Sequence, residues 1–185
     1  MLLRDPIHGD VEFSRLETAV IDLPLMQRLR GIKQLGMAYL VYPGALHTRF
    51  DHSLGVCAVA HQIVAALRQS GLPVSTELEE AIGVAALLHD VTHVPFGHTL
   101  EDERRLFARH DKGSRLADLF AGELGASLDR LGVRDVVAGL LGLPSAEAIP
   151  RWAQDIVSAY KSPTFKNAIL SNRFYDGFTL PDYLR

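Results

Sequence analysis

Residues 76–98 read TELEEAIGVAALLHDVTHVPFGH, and this stretch decides the fold class. Thr76 and Glu79 have the spacing of a capping box, in which a hydroxyl and a carboxylate satisfy the first free amides of a helix. From there Leu78, Ile82, Ala85, Ala86 and Leu88 recur at helical spacing as far as His89. An apolar helix therefore delivers His89 and Asp90 side by side at its C-terminal end, and His93 and His98 follow within one short turn. Successive helical residues point about 100° apart, so the pair can address one ion only where the backbone lets both side chains converge. A helix end allows that. Imidazole with carboxylate suits a divalent transition metal such as Mn, Fe, Ni, Co or Zn better than an all-oxygen Ca or Mg site. Taken alone, the pair is explained as well by a buried histidine bonded to a backbone carbonyl.

Upstream, YPGALHTRFDHSLGV at residues 42–56 adds a second cluster, in which His47, Arg49, Asp51 and His52 run directly into a helix expected over 53–69. Leu54, Cys57, Ile63, Val64 and Leu67 fall near one face of that helix and Gly71 stops it. His52 stands at its start, where the helix dipole disfavours positive charge and so favours a neutral imidazole able to ligate. His52, His89 and Asp90 together make a metal site the better reading. Further helices are expected over 25–33 after Pro24, 98–109, 112–127, 133–141 and 145–159, with Gly132, Gly142 and Pro144 as punctuation. The one β-rich patch, Met37 to Pro43, is short. The fold expected is all-α, a single domain over 1–185 without repeats or linkers. The chain stops at LPDYLR, which reads as the opening of a helix, so a piece of a longer architecture is expected.

The bulk numbers set bounds. With 185 residues, 48% hydrophobic and 22% charged, the chain can bury a core without staples, and a single cysteine, Cys57, excludes an internal disulfide. A reducing, cytoplasmic setting follows most simply from that cysteine and from an N-terminus, MLLRDPIHGD, without an apolar signal region. The longest uncharged run, Ser53 to Leu67, is too short to span a bilayer, so no membrane partner is expected. A net charge of −3 argues against a dedicated nucleic-acid surface, though a metal and a few arginines can still make a local site for an anion. His8 reads as a loop histidine, His61 as facing solvent or a neighbouring helix, and Cys57 as a buried inert thiol. Arg28, Arg30 and Lys33 read as a solvated helix face rather than a nucleotide-effector patch. Glu103, Arg104 and Arg105 read as surface.

The two clusters, with DPIHG at 5–9 and QRLRGIKQLG at 27–36, resemble the HD superfamily, most closely over residues 5–114. Within it they are similar to the branch of deoxynucleoside triphosphate triphosphohydrolases. That resemblance implies an HD-domain helical bundle and a metal held by His52, His89, Asp90 and an aspartate near the C-terminus. It implies phosphate binding by Arg49 and proton transfer by His93 and His98, with Glu101 and His110 as their partners. It also implies a deoxyribose pocket lined by Gln34 and Leu35, with Tyr183 on the substrate side. The family pattern near the end is D-x-D-[RK]-x-D-Y-L. Here Asp182-Tyr183-Leu184 matches, but Thr179 stands where the ligating aspartate is expected. Asp182 or Asp176 could take that corner; otherwise three protein ligands and water complete the site.

The activity implied is hydrolysis of a deoxynucleoside triphosphate (dNTP) to deoxynucleoside and tripolyphosphate, with Mg as a second ion on the substrate phosphates. Oligomers are common in this branch, so a homo-oligomer is among the expectations, although no segment marks an interface. Three alternatives stay open: another HD-type nucleotide phosphatase or phosphodiesterase, a nucleotide-binding HD domain without turnover, and a purely structural helical domain.

Overall fold

Helix α4, Thr76–Leu88, is the axis around which the other elements pack. Ala81, Ile82, Val84, Ala85, Ala86, Leu87 and Leu88 are all buried, so after its acidic first turn it is apolar on every side, as a central helix must be. Each of the larger aliphatic side chains contributes about 1.5–3 kcal/mol by leaving water. Its cap lies one residue before the expected one. The Ser75 hydroxyl accepts the Leu78 amide at 3.2 Å, and Thr76 is already inside the helix. The computed structural model describes residues 1–69, 71, 74–109, 114–141 and 143. The helix expected over 145–159 lies outside them.

α3, Arg49–Gln69, packs along α4 and begins four residues earlier than expected. Thr48 starts it: the Asp51 carboxylate accepts the Thr48 amide at 2.8 Å, and the Thr48 hydroxyl accepts the Asp51 amide at 3.3 Å. Arg49 and His52 therefore sit in a fixed first helical turn, and both are buried. By length and composition the whole of α3 could cross a membrane, although its uncharged run alone could not. Here half of its apolar window is buried inside the fold.

α1, Arg15–Ile21, also packs on α4. It was not expected, yet the signal was present in Ser14-Arg-Leu-Glu17, which forms a full capping box. Residues before it make a short antiparallel hairpin of β1, Leu2–Asp5, and β2, Gly9–Glu12, with Leu3 opposite Val11. The Asp5 carboxylate accepts the Ile7 and His8 amides at 2.8 Å each, and Gly9 supplies the positive φ the turn needs. His8 is thus a turn residue.

The expected helix over 25–33 is a single turn, α2, Pro24–Gln27, followed by a 3₁₀ turn at Arg28–Gly31. The β-rich patch at 37–43 is no strand; Ala38–Leu40 form another 3₁₀ turn. The expected 112–127 helix breaks at Gly122, whose non-helical backbone divides α5, Arg115–Ala121, from α6, Glu123–Arg130. The helix expected over 133–141 is α7, Arg134–Leu140, which closes the core against α4 and contributes Val136 and Val137. The expected 98–109 helix is a single wide turn at Thr99–Glu103, where the Arg104 amide reaches back five residues to the Thr99 carbonyl at 2.9 Å. Arg105 adopts φ 52° directly after it, and a left-handed residue ends helical propagation.

Candidate metal centre

Asp90 is the hub of the site. It follows the last turn of α4, is fully buried, and meets four side chains. Arg49 Nη1 donates to its Oδ2 at 2.8 Å, and His52 Nε2 lies 3.5 Å from the same oxygen. His89 Nε2 is 3.4 Å and His93 Nε2 3.5 Å from Oδ1. The ligand atoms of His52, His89 and Asp90 all lie within 4.8 Å of one another, so the three residues picked from sequence converge as a metal site requires. The His52 and His89 rings stand 5.2 Å apart.

These residues fit a divalent metal. His89 Nδ1 donates to the Ala86 carbonyl at 2.7 Å, which fixes the tautomer and points the Nε2 lone pair into the cluster. That Nε2 is buried and makes no hydrogen bond among the described residues. Burial pushes the His52 ring down to about 3, aided by the neighbouring His89 and Arg49 against the pull of Asp90, so His52 is neutral at pH 7 and able to ligate. Burial opposes ionisation of Asp90, yet the surrounding imidazoles and the Arg49 guanidinium hold its carboxyl well below the usual range. Neutral imidazole with ionised carboxylate is the protonation state a transition metal requires.

His93 and Glu101 form the next layer, both buried, with His93 Nδ1 3.8 Å from Glu101 Oε1. The wide turn rotates Glu101 inward. His98, 45% exposed, stands 3.9 Å from Glu101 and closer, at 3.2 Å, to the partly exposed Asp102. His93 and His98 meet edge to face at 5.2 Å. Gln34 and Leu35 lie in the segment leading to the 3₁₀ turn. The Gln34 amide bonds the His47 carbonyl at 3.1 Å, and its buried Oε1 has no donor among the described residues. His110, Asp176, Thr179, Asp182 and Tyr183 lie outside the described residues.

Five residues contribute in ways the sequence did not reveal. Arg115 of α5 donates to Glu101 Oε1 at 2.7 Å and also reaches the Thr92 and Ala108 carbonyls, tying the wide turn to the bundle. Arg28 bonds the Val91 and His93 carbonyls at 2.8 and 2.9 Å, holding the chain after Asp90 in place. Arg30 stacks 3.7 Å over Phe50 and Lys33 Nζ bonds the Leu46 carbonyl at 2.6 Å, so these three cations brace the segments beside the site and are not merely a solvated face. Gly97, with φ 37°, folds over Arg49, and a Cβ there would strike the guanidinium. Only the glycine signal was visible in the sequence; the arginines bind distant backbone that spacing does not reveal.

A helical bundle in which the start of one helix and the end of another bring two imidazoles and a carboxylate together is a histidine–aspartate metal-site domain. The HD domain family matches residues 49–142, just over half of the chain, and this protein belongs to that family. It is similar to the deoxynucleoside triphosphate triphosphohydrolase SAMHD1 of Bos taurus, 43% identical over 121 residues, covering 61% of this chain and 20% of the relative. The Mus musculus protein of the same name is 45% identical over 113 residues, covering 60% and 17%. Among solved structures, a phosphohydrolase from Bacteroides thetaiotaomicron superposes with a TM-score of 0.67 at 31% identity, over 85% of this chain and 38% of that one. The chain thus spans about a fifth of the length of these curated relatives.

Proposed function

We propose that this chain is a metal-dependent phosphohydrolase that cleaves dNTPs to deoxynucleoside and tripolyphosphate. The convergence of His52, His89 and Arg49 on buried Asp90 carries the proposal. The similarity to named dNTP triphosphohydrolases and to a solved phosphohydrolase supports it. His52, His89 and Asp90 hold the ion, and Asp182 is the proposed fourth ligand. A bound transition metal supplies positive charge to a phosphoryl oxygen and lowers the pKa of a coordinated water. Arg49, fixed by Asp90, adds a guanidinium beside the phosphate as negative charge builds. His93, oriented by Glu101, protonates the sugar oxygen that leaves when water attacks the α-phosphorus. His98 at the exposed mouth exchanges that proton with solvent, with His110 as its proposed helper. Buried Gln34 Oε1 accepts from a sugar hydroxyl, and Leu35 and Tyr183 enclose the deoxyribose. Mg accompanies the substrate phosphates.

Metal analysis of the purified chain together with a substrate panel tests this. The expected result is an ion held by His52, His89 and Asp90, tripolyphosphate released from dNTPs, and loss of that ion and of turnover in Asp90→Ala. A chain that contains no transition metal and takes up none overturns it. Thr179 favours a second reading, a nucleotide-binding domain without turnover, which predicts bound metal and bound dNTP but no product. Preferential cleavage of nucleoside monophosphates, cyclic dinucleotides or (p)ppGpp would instead reassign the substrate on the same centre.

A further inference from the structure

Further along α3 from His52, Cys57 and His61 meet Glu17 of α1. His61 Nε2 is 2.7 Å from Glu17 Oε1, Cys57 Sγ is 3.5 Å from that oxygen, and Cys57 Sγ is 3.8 Å from His61 Nε2. We propose that Glu17, Cys57 and His61 form a second metal site, suited to a thiophilic divalent ion such as zinc and separate from the histidine–aspartate centre.

Geometry carries the proposal. A tetrahedral zinc with ordinary bond lengths sets a sulfur about 3.6 Å from a nitrogen or oxygen ligand, and a nitrogen about 3.4 Å from an oxygen. Two of the three edges, at 3.5 and 3.8 Å, already have these lengths. Only the Glu17–His61 edge must open, from its 2.7 Å, and His61 is the ligand with freedom to move, its side chain being 25% exposed against 1% for Glu17. The same exposure gives an ion a way in and leaves room for water as fourth ligand. The opposite wall is Gly83 of α4, where a Cβ would collide with the Glu17 carboxylate and stand 3.2 Å from His61 Nε2. The lack of a side chain there is what lets the three donors gather between α1, α3 and α4.

Charge accounts for the site with and without an ion. Without metal and below the ordinary imidazole pKa of 6.5, the carboxylate is balanced by the imidazolium and the buried thiol is neutral; the bond to Glu17 raises the His61 pKa, and against the upward push of burial the same bond brings Glu17 below its ordinary value. When a divalent ion displaces one proton from His61 and one from Cys57, a carboxylate, a thiolate and a neutral imidazole surround two positive charges. The net charge of the pocket stays at zero in both states, so the ion enters without leaving an uncompensated buried charge. This donor set shares no residue with the His52, His89 and Asp90 cluster, and Glu17 lies outside the 49–142 family match.

The single cysteine makes the test specific, since any thiolate–metal signal must arise at Cys57. The metal-free full chain is titrated with Co(II) and the near-ultraviolet thiolate-to-cobalt charge-transfer band is followed. The expected band saturates at one ion per chain, persists in His89→Ala and is lost in Cys57→Ser. In Glu17→Gln and His61→Gln the affinity read on the band falls at least about tenfold. Should Glu17→Gln fail to fold by circular dichroism, the partly exposed His61→Gln carries the same comparison. Absence of the band at saturating Co(II), or an affinity unchanged in His61→Gln, overturns the site and leaves a buried ion pair. A band in a chain that does not hydrolyse dNTPs sinks the proposed activity alone.

Discussion

Glu17 and His61 give the metal-free protein a pH dependence of defined sign. His61, with its pKa raised above the ordinary 6.5, contributes fully below that value and loses its contribution as pH climbs through the raised one. Glu17, lowered from 4.5, contributes fully above 4.5 and loses its share as pH falls through the lowered value. The pair is therefore fully effective between about 4.5 and 6.5. His52 acts in the opposite direction: the unfolded chain takes up its proton below 6.5 while the folded ring, at about 3, does not, so acid weakens the fold. Comparing wild type with His61→Gln cancels His52. With chelator present, the difference in melting temperature should be largest between about pH 4.5 and 6.5 and shrink as pH rises through the raised His61 value. A flat difference would mean the pair is not ionised as described. At this scale, His52, His89 and Asp90 were legible because imidazole and carboxylate at helix ends are chemically conspicuous. Arg28 and Arg115 were not, because guanidinium groups on distant carbonyls look like any surface cation in one dimension.

Among the elements, α4 shows how closely helices approach here. At Gly83 a methyl group would strike Glu17, which is buried and held by the Ser14 amide at 2.8 Å as well as by His61. Replacing a helical glycine with alanine ordinarily gains about 1 kcal/mol, but overpacking a filled contact costs about 1–3 kcal/mol. Gly83→Ala should thus destabilise by a net of up to ~2 kcal/mol, measured by urea unfolding as a lower midpoint with unchanged slope; a rise in midpoint would show that α1 yields freely. The long helices α3 and α4 were legible because periodic apolar residues over many turns leave little ambiguity. The hairpin was not, since Leu3 and Val11 alone face inward from strands of four residues each. The wide turn at Thr99–Glu103 read as helix because its composition is helical. Its departure comes from tertiary demand, Glu101 being drawn in by Arg115 and His93.

For the whole molecule, the decisive fact is that the candidate ligands come from the start of α3 and the end of α4, and meet only when those helices pack. An unfolded chain has no such site, so an ion taken up there would bind the native state alone and stabilise it by mass action. A hundredfold excess over the dissociation constant adds about 2.7 kcal/mol, which for a chain of this size raises the melting temperature by roughly 5–10 °C. Differential scanning calorimetry of metal-free protein with and without Mn(II) should show that rise in wild type and not in His89→Ala; identical curves would dissociate the cluster from any ion. Uptake of an ion between two helices would also tie the protein's abundance to metal supply: with less ion the native population thins and the opened chains go to proteases.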